Sequence, residues 1–358
     1  MMLTMIRARF ACTGALLSAL LVACCRTAPP SVLRPDPAGL EAQRGIVRNA
    51  FSGIDPRDDP AAAADFRQGL RTGVSAAWWG FDPVDATPAL QSSLDSGARI
   101  ILIPAMGRPW ITRPLSIRSH TTLVLEEGVE ILSKEGEFQK DDSSMFTLKD
   151  VEDVTIYGYG ARLAMRKADY RQQPYAKSEW RHAIELYGCT RISVLGLTAE
   201  SSGGDGVYLG RGDRQSFNSE VLLRDLLLRD HYRQGISVIS AQDLRIERVE
   251  MSFTEGTPPS AGIDFEPNYA DERILRCVLS NCVIHSNRGP AISAVLRVMD
   301  ESSREIDIRV EDSYIAGSPI SLLVFGAGRV GGRIQFTNTA LQGIQLVRPG
   351  HRVEISGN

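Results

Sequence analysis

The sequence predicts an all-β fold, a right-handed single-stranded parallel β-helix with a short helical cap at its N-terminal end. Six stretches after Asp205 share one pattern: a small or turn residue, an aliphatic residue, a variable residue and usually another apolar residue. Successive stretches begin 24 to 29 residues apart, at Gly206, Gly235, Gly262, Ala291, Pro319 and Gly343. A near-constant period of this length, with strand-like alternation inside each unit, is typical of a solenoid.

A second family of strand-like segments keeps step with the first and favours the same fold. Its members lie at residues 192–194, 222–225, 244–247, 278–281, 308–312 and 334–338. Several of them end in Asp or Asn, which tolerate the unusual dihedral angles of a tight corner and can hydrogen-bond the backbone there. An antiparallel sandwich with regular strand spacing is the alternative, although a sandwich gives no reason for two strand families to stay in step.

Residues 1–24 are predicted to be a lipoprotein signal peptide and no part of the fold. Arg7 and Arg9 precede an apolar run over residues 15–23 that is too short to span a bilayer as a mature helix. The run ends in Leu-Val-Ala-Cys, which resembles the bacterial lipobox, with Cys24 as the lipidated residue. An ordinary signal peptide with coincidental cysteines is the alternative. The predicted location is the bacterial cell envelope, with a lipid anchor and the fold facing the periplasm or the exterior.

Residues 25–45 are predicted to form a stiff, proline-rich tether. Residues 46–119 are predicted to form an N-terminal helix and cap strands, with helical patterns at 61–70 and 85–94 and apolar strands from residue 100 onward. Such a cap covers the open end of a solenoid, whose unpaired edge invites aggregation. Residues 120–358 are predicted to form the coils of the β-helix.

Composition limits the classes of partner. The chain has 358 residues and a net charge of −3, so it lacks the concentrated basic surface that nucleic-acid binding requires. Cys189, Cys277 and Cys282 fall in the predicted fold without metal-ligand spacing, and a buried free thiol is expected at Cys282. We expect a monomer without a cofactor, and the sequence leaves a bound calcium ion open.

A long excursion interrupts the predicted coils over residues 164–181, and a loop of this length in a compact solenoid is usually functional. It mixes aromatic and cationic residues, and Trp180, Arg181 and the following His182 are candidates for substrate contacts. Aromatic rings can stack on sugar rings, and guanidinium groups can bind hydroxyl or carboxylate groups. The alternative is a surface flap held together by its own aromatic side chains.

Two corners between predicted strands carry further candidates. Asp205 stands among three glycines, which let the backbone turn sharply and leave the carboxylate accessible. In the next repeat, His231 could act as acid or base near neutral pH, Tyr232 follows it, and Arg233 could hold an anionic or hydroxylated substrate. Both corners are also compatible with ordinary structural turns.

A third motif pairs two acids along one strand. Ile263 and Phe265 are predicted to face the core, so Asp264 and Glu266 face outward, about 6.6–6.8 Å apart. Hydrolysis of a glycosidic bond uses two carboxyl groups about 5 to 9.5 Å apart, one neutral and one ionised. A charged pair bound to its neighbours for structure alone is the alternative.

Stacking of the repeats would bring these motifs together. The position of Asp264 is predicted to hold other residues in the neighbouring repeats: Tyr208, Ser237, Ser293, Ser321 and Gln345. Asp205 is expected two coils away, about 9.6 Å along the axis. We therefore expect one exposed groove lined by Asp205, Arg233, Asp264 and Glu266, with Tyr208, Ser237, His182 and His231 beside them and Glu255 in a loop that closes over the site.

The motifs resemble bacterial right-handed parallel β-helix proteins of the pectate lyase and glycoside hydrolase-like superfamily. The resemblance covers roughly residues 81–358 and rests on the cap segment 80–87 and the stretches 203–210, 233–238 and 262–267. It implies a polysaccharide substrate. The Asn-Thr-Asp and Gly-His-Gly arrangements of polygalacturonases are missing from the sequence, and so is a clear calcium-binding acid cluster of the pectate lyase type.

The preferred functional prediction is a lipid-anchored glycoside hydrolase acting on a polysaccharide or glycoconjugate. Asp264 and Glu266 would share the acid and base roles, with Asp205 as a third candidate. A polysaccharide lyase or uronate epimerase is the first alternative; there Arg233 would neutralise the uronate while His231 or Tyr232 moves the C5 proton. A non-catalytic, carbohydrate-binding β-helix is the second alternative.

Overall fold

In the computed structural model, the chain winds into a right-handed parallel β-helix made of three parallel sheets. The structure describes residues 36–326, 329–347 and 353–357. The predicted signal peptide with Cys24, and the first part of the predicted tether, lie outside these residues. Each full coil runs through one strand of sheet B, one of sheet C and one of sheet A before the next coil begins.

All the strands pair in parallel with the equivalent strands of the adjacent coils. Sheet B contains Gly73–Ser75, Ile100–Ile103, Thr121–Leu125, Glu152–Tyr157, Thr190–Leu195, Asn218–Arg224, Ala241–Glu247, Ile274–Ser280, Ile306–Glu311, Gly332–Thr337 and Val353–Gly357. Sheet C contains Trp110–Thr112, Glu130–Ser133, Arg162–Ala164, Thr198–Glu200, Leu227–Arg229, Glu250–Ser252, Val283–His285 and Tyr314–Ala316. Sheet A contains Leu115–Ser116, Phe146–Lys149, Ile184–Tyr187, Val207–Gly210, Ile236–Val238, Ile263–Phe265, Ile292–Val295, Leu322–Phe325 and Ile344–Val347.

The core fills the inside of the coils, where inward side chains stack in columns. In sheet A, successive register partners in one such column are buried: Ile184, Val207, Ile236, Ile263 and Ile292. The next residue of each strand points to the outer face of the sheet, because side chains alternate along a strand. Sheet A therefore presents one outward residue per coil at a fixed position, and Asp264 occupies that position in its coil.

Short polar residues mark the corner between sheets B and C, as predicted. Asp225, Asn281, Asp312 and Asn338 have φ angles of 58°, 53°, 48° and 47°. Asp and Asn adopt this left-handed conformation more readily than other residues with a side chain. Asn338 Nδ2 also donates a hydrogen bond of 2.7 Å to Asp312 Oδ1 in the adjacent coil. The turn chemistry and the stacking therefore act together at this corner.

The α-helices are Pro37–Ala50, Pro60–Arg67 and Thr87–Leu94, and short 3-10 helices lie at Ala76–Trp79 and Asp169–Arg171. The first helix overlaps the end of the segment predicted as a tether, so the predicted boundary at residue 45 differs from the structure. Two local features explain the helix: the Asp36 carboxylate accepts the Ala38 N–H at 3.0 Å, and Pro37 occupies its first turn.

The first helix is held against the coils by a buried amide. Gln43 Nε2 donates to the backbone carbonyls of Leu125 and Tyr159 at 3.0 and 3.1 Å. Its Oε1 accepts the Tyr159 N–H at 2.8 Å. Because every polar atom of this side chain has a backbone partner, burial of Gln43 carries little desolvation penalty. The segment before residue 46 is therefore partly a docked element of the fold.

One further boundary and one strand register differ from the sequence prediction. The coils begin before residue 120, because Gly73–Ser75 and Ile100–Ile103 already belong to sheet B and pair with its later strands. Near the C-terminus, Leu323 pairs with Ser293, although Ser321 was expected there. The reason is burial: Leu322 and Val324 are buried in the core, and this inward pair sets the register two residues later.

The three cysteines at 189, 277 and 282 are buried free thiols, as predicted for Cys282. None of the helices that the structure describes is both long and apolar enough to cross a membrane.

Replacing Phe265 by alanine should destabilise the central coils by about 3–5 kcal/mol, because the ring has no exposed surface and its removal leaves a cavity. Urea unfolding followed by circular dichroism measures the change. Phe253→Ala is the matched control, because that ring is 53% exposed and should contribute less than about 1 kcal/mol. Equal losses in the two variants would contradict the assigned core.

Candidate active site on the outer face of sheet A

The corner between sheets C and A brings Asp205 and Arg233 together in adjacent coils. Backbone hydrogen bonds tie the two corners: Arg233 N–H donates to the Gly204 carbonyl and Gly206 N–H donates to the Gln234 carbonyl, both at 3.0 Å. The glycines are needed because a Cβ at Gly206 would lie 2.6 Å from the Gly235 carbonyl oxygen. The glycine-rich turn therefore permits the close approach of the two corners.

Arg233 is the centre of the site. Its Nη2 lies 2.8 Å from Glu266 Oε2, its Nη1 lies 3.7 Å from Asp205 Oδ2, and its Nε lies 3.5 Å from Glu179 Oε1. The side chain is only 11% exposed. Burial disfavours the guanidinium charge, but the surrounding carboxylates of Asp205, Asp264, Glu266 and Glu179 outweigh it and raise the pKa of Arg233. Three acids, Glu266, Asp205 and Glu179, therefore lie close to one cation, and Asp264 lies near enough to influence it.

Asp264 lies between two core residues, Ile263 and Phe265, and faces outward as predicted. It pairs in register with Ser237 and Ser293 of the adjacent coils. Its side chain is nevertheless fully buried, and burial followed by the charge of Glu266 raises the pKa of Asp264 from 3.8 to about 7. Asp264 can therefore hold a proton at a mildly acidic or neutral pH.

Asp205 is also fully buried, but its pKa moves in the opposite direction. Burial alone would raise it, whereas His182 and Arg233 together lower the pKa of Asp205 below its ordinary value. Two carboxyl groups of one site therefore differ in protonation, which is the arrangement that acid–base chemistry requires. Among the described residues, both carboxylate oxygens of Asp205 and Oδ1 of Asp264 are buried without a hydrogen-bond partner. The ion-pair neighbours of Asp205 Oδ2 are His182 and Arg233.

His182 orients the Asp205 side of the site. Its Nδ1 lies 2.9 Å from the backbone nitrogen of Asp205 and 3.2 Å from Oδ2 of the same residue. Unprotonated Nδ1 accepts the Asp205 N–H, whereas protonated Nδ1 donates to the carboxylate. The ring stacks on Tyr208, with a centroid distance of 4.6 Å and an angle of 16° between the planes. His182 was predicted to contact the substrate, but it is 1% exposed and contacts Asp205, so it acts on the site through that residue.

The structure encloses the acids, contrary to the predicted exposed groove. Asp205 and Asp264 have no exposed surface, while Glu266 and Arg233 are 24% and 11% exposed and form the outer layer. The acids do lie on one flank of the solenoid, because both surround Arg233. The correction concerns access: Asp264 lies beneath the surface, and the partly exposed Arg233–Glu266 ion pair lies in the outer layer of the site.

Arg181 is not placed to bind a substrate, contrary to the prediction. Its guanidinium is buried and donates to the carbonyls of Phe138, Ala176 and Gln139 at 2.7, 2.8 and 3.1 Å. It also lies 5.4 Å from the centroid of the buried Tyr170 ring. The excursion over residues 164–181 is therefore a flap held by its own aromatic and cationic side chains.

His231 is also internal, and this corrects its predicted role as a surface acid or base. It has no exposed surface, and its Nδ1 lies 2.8 Å from Ser202 Oγ. Burial lowers the pKa of His231 to about 3, so the ring is neutral over the physiological range. Its position supports the backbone of the corner and does not place it in contact with a ligand.

The remaining predicted contacts lie around the margin of the site. Trp180 is 48% exposed beside Glu179, and Tyr208 is half-buried on the outer face of sheet A. Tyr232 is half-buried under the Arg171 guanidinium, which lies 5.7 Å from its ring centroid. Glu255 is exposed and pairs with Arg288 at 3.1 Å. These side chains are available to a ligand. Glu255 was expected in a loop that closes over the site, but the described residues show it paired with Arg288 and without contact to the acid cluster.

A cleft of about 490 Å³ adjoins this margin at the start of the corners between sheets C and A. It is lined by Met165, Arg166, Lys167, Ala168, Asp169, Arg171, Ser201, Asp230 and Glu255. Arg166 pairs with Asp169, and Lys167 pairs with Asp230 at 2.7 Å. Most of its charges are therefore already neutralised within the protein.

Sequence reasoning missed two members of the cluster. Gln234 Nε2 donates to Asp264 Oδ2 at 3.3 Å, and Gln234 Oε1 accepts the Ala261 N–H at 2.7 Å. Its place in the polar run beside Arg233 was a usable signal. Glu179 reaches Arg233 from the flap, and its neighbour Trp180 was noticed only as an aromatic residue. The pairing of Glu179 with Arg233 could not be predicted, because it depends on how the flap folds onto the coils.

One group of possible metal ligands exists among the described residues, away from this site. His120, Glu152 and Asp153 are exposed on the side of sheet B, with ligand atoms within 4.8 Å of one another. Arg191 already pairs with Glu152 at 2.5 Å and with Asp153 at 2.6 Å. A guanidinium in this position competes with a cation, so we assign no metal to the group.

Comparisons with known proteins support the fold but assign no family. No protein-family model and no curated protein sequence matches the chain. Among solved structures, an iota-carrageenase in complex with iota-carrageenan fragments is similar at 13% identity and a TM-score of 0.55, over 70% of this chain and 56% of that one. The tailspike protein of Escherichia coli bacteriophage HK620 with a pentasaccharide is similar at 16% identity and a TM-score of 0.54, over 84% of this chain and 63% of that one.

A third similar structure is the tailspike gp49 of Acinetobacter baumannii bacteriophage Fri1, a capsular polysaccharide depolymerase. The identity is 10% and the TM-score 0.50, over 77% of this chain and 57% of that one. The chain thus spans less than two thirds of the length of each of these proteins. At such identities the similarity shows a shared parallel β-helix and nothing finer.

Asp264→Asn should change how stability depends on pH. Folded Asp264 keeps a proton that the unfolded chain releases, because its pKa is raised from 3.8 to about 7. Wild-type stability therefore falls as the pH rises between these values, and the variant lacks this loss. The variant should gain roughly 2–4 kcal/mol relative to wild type across the window and no more above it. Urea unfolding at several pH values measures the difference.

Asp205→Asn is the matched control, with the opposite sign. The pKa of Asp205 is lowered, so its ionised form stabilises the fold above the ordinary value, and this contribution is lost as the pH falls through the lowered pKa. The variant should be less stable than wild type at neutral pH. The same pH dependence in both variants would refute the assignment.

Proposed function

We propose that the chain is a carbohydrate-active enzyme, a glycoside hydrolase that cleaves a polysaccharide or glycoconjugate at the Asp264 site. The observation that carries the proposal is the pair of buried carboxyl groups with opposite pKa shifts, Asp264 raised to about 7 and Asp205 lowered, around one arginine. The structural similarity to proteins that are named for cleaving or binding polysaccharides supports the substrate class.

In the proposed reaction, protonated Asp264 is the general acid. It donates its proton to the glycosidic oxygen as the bond from the anomeric carbon to that oxygen breaks. A carboxylate, Glu266, accepts a proton from the water that attacks the anomeric carbon, so the proton count balances. The anion of Asp205 stabilises the positive charge that develops on the sugar ring.

Arg233 would act as a cover in this scheme. Substrate hydroxyl groups must replace the 2.8 Å contact between Arg233 and Glu266 before a sugar reaches Asp264. Displacement of Arg233 also removes a positive charge that lowers the pKa of Asp264, so the acid would hold its proton more firmly in the complex. Trp180 and Tyr208 at the margin offer ring surfaces for sugars.

A uronate lyase or epimerase fits the site less well. That reaction needs a cation free to pair with the substrate carboxylate, whereas Arg233 is already surrounded by the acids of the site. It also needs a base for the C5 proton, and His231 is buried away from the surface. Tyr232, half-buried under Arg171, is then the residue left to move that proton. The two reactions differ in their products, because only a lyase leaves a new double bond.

Asp264→Asn should reduce hydrolysis by about 10²–10⁴-fold, because the general acid is lost while the fold is kept. New reducing ends released from a panel of polysaccharides measure hydrolysis, and ultraviolet absorbance of the same samples measures lyase products, which carry a new double bond. Glu220→Gln, an exposed acid of sheet B, is the control that should keep full activity. For wild type, kcat/KM should fall as the pH rises above about 7.

Unchanged turnover in the Asp264→Asn variant would refute the assigned acid. Ultraviolet-absorbing products would favour the lyase, and sugar binding without any turnover would favour a non-catalytic carbohydrate-binding protein.

We further propose that the mature chain is a bacterial lipoprotein of the cell envelope, anchored through Cys24. The support is the charged start, the short apolar run and the Leu-Val-Ala-Cys sequence that ends it. Cys24→Ser should move the protein from the detergent-soluble membrane fraction to the soluble fraction or leave it unprocessed. Cys25→Ser is the adjacent control and should remain in the membrane fraction; equal behaviour of both variants would contradict the anchor.

A further inference from the structure

The outer face of sheet A is strongly acidic beyond the residues given a role in hydrolysis. Glu185 stands in the same outward column as Asp264, and it accepts hydrogen bonds from Ser144 and Thr147 at 2.6 and 2.7 Å. On the other flank, the buried Glu272 accepts the backbone N–H groups of Asn268 and Tyr269 at 2.5 and 3.0 Å.

These acids influence the same region of the sheet. The phenol of Tyr208 has a raised pKa, mainly through burial; the charges of Asp205, Glu272 and Glu185 add to this effect, and Arg233 opposes it. By count, the face holds more carboxylates than cations even when Asp264 carries a proton and Arg233 is included. The acids of this face are Glu179, Glu185, Asp205, Asp264, Glu266 and Glu272.

The nearby cations do not balance this charge. Lys149 pairs with Asp213 at 2.8 Å, and Arg211 pairs with Asp271 at 2.8 Å, so each is balanced first by its own acid, although their charges also reach Glu185 and Glu272. Arg233 is the cation within the cluster, and it already contacts Glu266 and lies close to Asp205 and Glu179. A ligand carboxylate or sulfate would have to compete with these groups for one guanidinium.

Buried acceptor atoms without donors add a second, independent indication. Oδ1 of Asp205 and Oδ1 of Asp264 are enclosed and receive no hydrogen bond from the described residues. Asp205 is the ionised member of the pair, since Asp264 keeps its proton, and an unpaired buried carboxylate oxygen costs free energy that a cationic donor can recover. A protonated amine provides both positive charge and N–H donors.

We propose that the sugar recognised at this face is an amino sugar with a free, protonated amino group, and that uronate and sulfated sugars are rejected. This inference rests on the proposed function for the location of the sugar, and it adds the substrate class. Opposite charges attract and like charges repel across a poorly solvated face, so the discrimination is electrostatic and depends on ionic strength.

The test compares the binding of two oligosaccharides of equal length, a glucosamine hexamer and a galacturonic acid hexamer, to the full-length protein by isothermal titration calorimetry at mildly acidic pH. The glucosamine hexamer should bind at least about tenfold more tightly at low salt, and this preference should shrink as the ionic strength rises from roughly 0.01 to 0.15 M. N-acetylation of the same hexamer should remove most of the preference, because it removes the positive charge.

Glu179→Gln tests the origin of the preference at a residue without a role in the proposed chemistry. Its carboxylate is 29% exposed and faces Arg233, so the variant should bind the glucosamine hexamer about threefold more weakly. Glu220→Gln on sheet B makes the same change elsewhere and should leave binding unaltered.

Three results would overturn the inference: tighter or equal binding of the galacturonic acid hexamer, a preference indifferent to salt and to Glu179→Gln, or no binding of either hexamer at millimolar concentration. Hydrolysis is scored separately. If Asp264-dependent cleavage of a uronate polymer is found, the amino-sugar class is wrong and the hydrolase proposal stands. If the amino sugar binds selectively and is not cleaved, the amino-sugar class stands and the hydrolase proposal is wrong.

Discussion

The register of backbone hydrogen bonds between successive coils is the constraint on which the rest of this structure depends. Parallel pairing places Ser237, Asp264 and Ser293 directly above one another on sheet A, although they are 27 and 29 residues apart along the chain. A slip of one residue would turn Asp264 inward and Ile263 outward. Burial of the aliphatic column therefore fixes the position of the acid, and packing and chemistry share one cause.

Charge compensation is the second requirement of the site. Placing several carboxyl groups in one enclosed region is unfavourable unless a cation or a proton neutralises them. The protein uses both means: Arg233 contacts or faces Glu266, Asp205 and Glu179, and Asp264 retains a proton. The division of labour between a paired and a protonated carboxyl group follows from where each side chain lies relative to the guanidinium.

Much of the fold followed from local patterns, because repeats, alternation and Asp or Asn corners are encoded over a few residues. The outward direction of Asp264 and its neighbourhood with Asp205 and Arg233 followed from the same periodicity. The burial of Asp264 and His231 could not be predicted in this way, because their exposure depends on which side chains from other coils cover them. Arg181 shows the difference clearly: its cation suggested a surface contact, yet three backbone carbonyls and the Tyr170 ring enclose it.

The helix Pro37–Ala50 lies across several coils on the outer side of sheet B. Phe51 just after it packs with Leu102 and Val124, Gln43 binds the turn at Tyr159, and Asp36 before it approaches Arg248 at 3.5 Å. A solenoid whose units contact only their neighbours can fray one unit at a time. A helix that contacts several coils couples them. This half of the molecule should therefore open as a single cooperative unit and resist coil-by-coil unfolding under mechanical load.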